Sequence, residues 1–375
     1  MTVGIGRAWP LGSTASADGV NFSIGAPQAT KVELLLFEHA DAAEPARVIE
    51  LNPAAHRSGD YWHVHISGVG IGCCYGYRVY GPVSSAGHGF HPGKVLLDPC
   101  ARAIGGWPIY KRELATGDQP NTAHCLKGIV TERDRFDLAR HPRPRHRWND
   151  TVIYELHPGG FTRDPDSPAG AEHRGSFLGL IDALPYIQRL GVTAIELLPA
   201  MAFDPDDAPE GRQNYWGYSP LSWFAPHHGY VAGSDPLQGR KQLRQLVAAC
   251  HDIGLEVFVD VVYNHTTEGS AQGPSLSWRG FADRTYYLQS EEGIYQDVSG
   301  CGNSIAANLG LSMQLILESM RCWAVELGID GFRFDLGAAL TRGDNLTPLD
   351  QPPLFAAMET DPELADIKLV GEPWD

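Results

Sequence analysis

Several things are scarce or missing in this 375-residue chain. No run of about 18 apolar residues occurs, so no membrane-spanning helix is expected. Basic residues are outnumbered: 29 Lys and Arg against 45 Asp and Glu leave a formal net charge of −16. Nucleic acid and anionic membranes reward basic surfaces, so neither is an expected partner, whereas a neutral polyhydroxylated substrate is compatible. The seven cysteines include no C-x-x-C pair. Cys73 and Cys74 are adjacent, a spacing that bonds to itself only with strain. Reduced thiols and a cytoplasmic location are the expectation. Residues 1–6 lack a basic segment followed by an apolar core, so no secretory leader is expected. No H-x-H pair occurs at the strand ends identified below, and no G-x-G-x-x-G follows the first strand of the second half, which argues against a dinucleotide-binding fold.

What is present changes character near residue 150. From about residue 21 to 81, short runs such as Lys31-Val32-Glu33-Leu34-Leu35-Leu36-Phe37 and Tyr61-Trp62-His63-Val64-His65-Ile66 recur between turn residues. Their period-two alternation predicts an all-β sandwich over residues 1–110. Its aromatics read as core and cross-strand pairs. Residues 111–150 lose the periodicity. The run His141-Pro142-Arg143-Pro144-Arg145-His146-Arg147 is too proline-restricted for a helix or central strand. It reads as a surface connector, with an anion site as the alternative.

Beyond residue 150, apolar strands alternate with amphipathic helices. Ser176 is placed to cap a helix with the stripe Phe177, Leu180, Ile181, Leu184 and Ile187. A second stripe runs Leu243, Leu246, Val247, Cys250 and Ile253, and a third runs Met313, Ile316, Leu317, Met320, Trp323, Ala324 and Leu327. Gly191, Gly254 and Gly328 each end a helix where a left-handed residue is needed, and an apolar run follows directly. Repeated helix–Gly–strand units predict a parallel sheet with right-handed crossovers. The fold class is therefore α/β: a β-sandwich followed over residues 151–375 by a (β/α) TIM-type barrel of which about the first five strands are present.

Three strands end in acids: Asp260 before Val261-Val262-Tyr263-Asn264-His265, Asp335 after Gly331-Phe332-Arg333-Phe334, and Glu372 after Gly371. In a parallel barrel, functional groups gather at that rim. Arg333 and Asp335, two residues apart, share a face. They form either a nucleophile kept ionised by its neighbour or a structural ion pair. Asp335 and Glu372 sit on adjacent strands about 4.8 Å apart, compatible with the ~5–5.5 Å carboxyl separation of a retaining glycosidase. Asp260, Asn264 and His265 suit sugar hydroxyls, with a divalent metal site as the rival reading. In Asn214-Tyr215-Trp216-Gly217-Tyr218-Ser219-Pro220, flat aromatics can stack on pyranose rings or form a satellite core. His227 and His228 read equally well as solvent-exposed loop residues.

Taken in order, Asp-Val-Val-Tyr-Asn-His, Gly-Phe-Arg-Phe-Asp and Gly-Glu-Pro-Trp-Asp resemble the conserved regions of the α-amylase superfamily. Residues 152–162, 214–220 and 300–303 are most similar to its isoamylase and glycogen-debranching branch, and the N-terminal β-domain resembles that family's glycogen-binding-like sandwich. The resemblance implies Asp335 as nucleophile and Glu372 as acid/base. Arg333, Asp260 and His265 would hold the sugar and the nucleophile, with Tyr218 stacking on that sugar and Asn264 and Trp216 as further substrate contacts. It implies hydrolysis of α-1,6 branch linkages of glycogen or a related α-glucan with no organic cofactor; calcium occurs in some relatives, and no distinctive cage is seen here.

The family pattern also includes three further strands, a C-terminal β-domain and a third catalytic Asp, none with a counterpart in these residues. The expectation is a truncated or split form, inactive alone, with a C-terminal complementing polypeptide. The rival classes are a non-catalytic α-glucan-binding protein, a branching enzyme or maltooligosyl trehalose trehalohydrolase using the same acids, and a metal-dependent barrel hydrolase.

Overall fold

The computed structural model of the chain describes residues 1–82 and 89–374. Among these residues, ten strands build the first half: β1 Val3–Gly4, β2 Gly12–Ser16, β3 Gly19–Gly25, β4 Lys31–Phe37, β5 Arg47–Glu50, β6 Arg57–Ser58, β7 Tyr61–Ser67, β8 Cys74–Tyr80, β9 Ile104–Gly105 and β10 Lys127–Ile129. They form two antiparallel sheets, β1-β7-β3-β2 with β6 on β7, and β5-β4-β8-β10-β9. Alternate residues meet between the sheets: Val20, Phe22 and Ile24 with Trp62, Val64 and Ile66, against Val32, Leu34 and Leu36 with Tyr75, Tyr77 and Val79. The other face of the second sheet, with Leu35, Phe37 and Cys74, is covered by Val95, Ala103, Cys125 and Ile129.

That cover corrects the reading of residues 111–150 as a plain connector. Lys127–Ile129 pairs with both β8 and β9 and completes the second sheet. The three arginines of the basic run already face carboxylates, Arg143 that of Asp330, Arg145 that of Asp366 and Arg147 that of Asp150. The Arg143 side chain is buried, pairs with Asp330 at 2.8 Å, and donates to the carbonyls of Ala324 and Gly328. A cation over helix-terminal carbonyls satisfies groups that the helix itself leaves unpaired.

In the second half, β11 Ile153–Leu156, β12 Ala194–Leu197, β13 Glu256–Val261, β14 Gly331–Phe334 and β15 Lys368–Gly371 lie side by side in chain order, all parallel. Among the described residues seven helices accompany the strands: α1 Pro53–His56 and α2 Arg112–Ala115, both short, then α3 Phe177–Arg189, α4 Gln238–Asp252, α5 Trp278–Tyr286, α6 Gly310–Arg321 and α7 Pro353–Thr360. Ser176 caps α3, its hydroxyl accepting from the Gly179 amide, a contact worth about 1 kcal/mol. Gly191, Gly254 and Gly328 hold φ of +77°, +79° and +86°, the conformation in which a side chain is strained. The sequence joint is therefore a structural one.

The central strands are buried on both faces, but not by the same chemistry. Ile195, Leu197, Val257, Val259, Val261, Phe332 and Phe334 join the helix stripes in one apolar cluster. Their alternates form a charged face carrying Glu196, Glu256, Asp260, Arg333 and Lys368. At its floor, the Lys368 ammonium on β15 donates to Glu256 on β13 at 2.6 Å and to Thr151, just before β11, at 2.9 Å. Gly331 on the intervening strand leaves the space: a Cβ there would lie 2.8 Å from the Phe258 ring. The five-stranded sheet has two outer strands, β11 and β15, near which Val152 and Leu369 are exposed.

The two halves share a core. Tyr77 packs edge-on against Phe281 at 5.6 Å, Gly280 lies against Leu96, and the Leu97 amide donates to Leu276. Among the described residues no helix is long and apolar enough to cross a membrane.

Candidate active site

Register brings the acids together. Asp260 is paired with Arg333 across β13 and β14, and Phe334 with Gly371 across β14 and β15. Asp335 and Glu372 therefore stand one step past neighbouring strand ends, where the Asp335 amide donates to Val261 and the Glu372 amide to Phe334. Leu336 follows with φ +45°, and this left-handed turn aims its N–H at Glu372 Oε2, 2.8 Å away.

Arg333 is the hub. One terminal nitrogen, Nη1, donates to Asp260 Oδ2 at 2.8 Å and lies 3.6 Å from Asp335 Oδ1; the other, Nη2, donates to Glu372 Oε1. One planar guanidinium thus touches all three acids. Asp335 Oδ2 also accepts from the Asn264 side-chain amide at 2.9 Å. Tyr218 donates its hydroxyl to Asp260 Oδ2 at 2.6 Å. His265 donates from Nε2 to the Tyr218 carbonyl at 2.9 Å, and its other ring nitrogen abuts Asn264 Oδ1.

Burial sets the electrostatics. Asp260 is 1 % exposed, and burial pushes its carboxyl up to about 7, against the lowering effect of Tyr218 and Arg333. Its Oδ1 is buried with no hydrogen-bond partner among the described residues. An unmet acceptor in that setting costs about 1–3 kcal/mol, in keeping with the raised value of the carboxyl. Burial likewise lowers His265, favouring the neutral imidazole, and raises Tyr218, keeping its phenol protonated. Glu196, below the rim, is raised by burial and by neighbouring Glu155.

Both halves of the chain have relatives among known proteins. Residues 10–101 match the family model described as carbohydrate-binding module 48, the isoamylase N-terminal domain. Residues 109–304, more than half of the chain, match that of the alpha amylase catalytic domain. The chain belongs to the alpha-amylase family. Within it, the chain is similar to the glycogen debranching enzyme of Yersinia enterocolitica, 37% identical over 385 residues, covering all of this chain and 56% of that protein. It is also similar to isoamylase 3, chloroplastic, of Oryza sativa subsp. japonica, 38% identical over 388 residues, covering 99% and 49%. The pullulanase from Bacillus acidopullulyticus superimposes with a TM-score of 0.74 at 25% identity, covering 97% of this chain and 42% of that one. The chain thus spans about half the length of the curated relatives it matches.

In this member of the alpha-amylase family, Asp260, Asn264, His265, Arg333, Asp335, Glu372 and Tyr218 form one hydrogen-bonded cluster. Trp216 does not join it. It is 57 % exposed and stands edge-on to Tyr215 and His157. Tyr215 itself stacks flat on His157, with centroids 4.0 Å apart, making an open aromatic step on the loop after β12. His227 and His228 are not free loop residues: His227 stacks on Phe203 and His228 on Trp107. Glu196 escaped sequence reasoning, although its place on β12 two residues from Ala194 put it on the charged face. Asp375, the last residue of the third motif, lies outside the described residues. Among the described residues no group of three or more His, Cys, Asp or Glu is arranged to hold a metal ion.

Proposed function

We propose that this chain carries the sugar-binding face and two catalytic carboxylates for hydrolysis of α-1,6 branch linkages in glycogen or a related α-glucan. Asp335 attacks the anomeric carbon and forms a covalent glycosyl ester, while Glu372 gives its proton to the departing glycosidic oxygen. Glu372 then takes a proton from water as that water displaces Asp335, so the anomeric configuration is retained. Asn264 and Arg333 orient the nucleophile, and Asp260 and His265 hold Arg333 and Tyr218 in place beside the sugar. The observation that carries the reading is the convergence of Asp260, Asp335 and Glu372 on one guanidinium, that of Arg333, at the ends of adjacent strands. The glycogen debranching and isoamylase relatives support the choice of linkage and substrate.

In the present arrangement Glu372 accepts on both oxygens, from Arg333 and from the Leu336 amide. A general acid must instead donate. Turnover therefore requires Glu372 to leave Arg333, and the open edges of the sheet offer a source for that change. A complementing segment pairing along β11 and β15 would cover Val152 and Leu369 and reshape the rim. We infer that binding precedes, and hydrolysis requires, that closure. The seven unpaired cysteines fit a cytoplasmic setting.

The test is incubation of the 375-residue chain with pullulan and branched maltodextrin. Binding without release of reducing ends is expected, and hydrolysis by this chain alone would overturn the requirement for closure. In an active closed form, Asp335→Asn should abolish release of α-configured reducing ends while leaving binding intact. Retained turnover would remove Asp335 as nucleophile. A non-catalytic glucan-binding role is the second reading, favoured by the engaged state of Glu372; it requires binding with no turnover in any closed form.

A further inference from the structure

We propose that Arg112, which belongs to neither the sheet nor its rim loops, is a positioning residue for the sugar-binding face, acting with Asp207. The inference rests on the sugar-binding reading above and adds to it how that face is held. Arg112 opens the short helix α2 between the two halves of the chain. Its guanidinium is mostly buried and reaches the loops that follow β12 and β13. Nη1 donates to Asp204 Oδ2 at 2.5 Å and to the Thr267 hydroxyl at 2.9 Å; Nη2 donates to Asp207 Oδ1 at 2.9 Å and to the Thr267 carbonyl at 2.7 Å.

Asp207 carries the connection onward. Its Oδ2 accepts from the hydroxyls of Ser219 and Thr267. Ser219 follows Tyr218, and Thr267 lies two residues after His265. The Thr267 amide donates to Pro220, which fastens the same two loops through their backbones. The fork of Arg112 and the carboxylate of Asp207 therefore pin the residues beside Tyr218 and beside His265 to each other. The pair so fixed is the pair that meets in the site, through His265 Nε2 on the Tyr218 carbonyl and Tyr218 Oη on Asp260. A planar bidentate fork constrains direction as well as distance, which a lysine in the same place would not do. The hydrogen bonds of Arg112 go to Asp204, Asp207 and Thr267 rather than to the three rim acids, so its effect on ligand must pass through the two loops.

The test uses calorimetric titration of the 375-residue chain with maltotetraose. Arg112→Lys and Asp207→Asn should each weaken binding about ten-fold, the scale of one charge-assisted hydrogen bond, while the melting transition stays cooperative. Asp207 is partly exposed, so Asp207→Asn keeps the question answerable if Arg112→Lys fails to fold. The decisive readout is coupling: in a Tyr218→Phe background the Asp207→Asn loss should shrink below about two-fold, because the two act on one contact. A loss undiminished in that background, or no loss in either single variant, overturns the positioning role. Absence of maltotetraose binding by the unaltered chain, or binding unchanged by Asp260→Asn, overturns the sugar-binding reading itself and this role with it.

Discussion

Two carboxylates largely withdrawn from solvent, Glu326 and Asp260, each face arginine, and the contrast between them separates scaffold from site. Glu326, at the junction of the two halves, fills both oxygens: Arg102 grips it in a fork with contacts of 2.8 and 2.9 Å, and Arg240 adds a third at 2.6 Å. Burial disfavours its charge, but the two arginines outweigh burial and hold the carboxyl down at about 2. Asp260 pairs with Arg333, which it shares with Asp335 and Glu372, and among the described residues one of its oxygens has nothing to accept from. Burial wins there, and the carboxyl rises to about 7. A closed network keeps its carboxylate ionised; an open one leaves it near neutrality.

The sharpest way to break this comparison is Glu326→Gln. It leaves Arg102 and Arg240 buried without their countercharge, and chemical denaturation should show a loss of about 3–5 kcal/mol. Asp260→Asn should show the opposite profile. Stability at neutral pH should hold or rise, because the substitution removes a charge that burial disfavours, whereas calorimetry should show maltooligosaccharide binding weakened by about 1.5–3 kcal/mol as Arg333 and Tyr218 lose the carboxylate that holds them. A large stability loss in Asp260→Asn would make that cluster scaffold as well.

The pH dependence of stability should separate the two with opposite signs. The Glu326 contribution is complete above its ordinary value of 4.5 and is lost as pH falls from there towards 2. The Asp260 cost appears as pH rises from 3.8 to about 7, so acidification through that window stabilises the fold. Melting curves of Glu326→Gln should lose the first slope and those of Asp260→Asn the second. The smallest effect is expected for Trp216→Ala. Its exposed ring should leave stability within about 0.5 kcal/mol and lower maltooligosaccharide affinity by about 0.5–1.5 kcal/mol.

The parts legible in sequence were those set by local rules. Gly191, Gly254 and Gly328 announced helix ends because a left-handed backbone has few other occupants, and the apolar runs directly after them announced the strands. Acids after apolar runs announced the rim. Pairings set by distant partners were not legible. Lys127–Ile129 is too short to show a period, and it becomes a strand because β8 offers an edge to it. Arg143 looks like a surface cation until the π-helical extension of α6, Cys322–Glu326, and the residues just after it present their carbonyls. His227 and His228 carry no pattern that foretells Phe203 and Trp107. The same limit applies in the site: Arg333 was identifiable, but not its simultaneous hold on three acids.

Lys368 gives the sheet a mechanical property that its hydrogen-bond ladder alone would not. Its ammonium ties the start of the fifth strand to the third and to the residue before the first, so it acts as a chord drawn across an arc. A chord of that kind opposes flattening of the sheet. At the other end of the same strands Arg333 makes a second tie, holding Asp260, Asp335 and Glu372 together. The charged face is thereby fastened at both ends, by one lysine below and one arginine above.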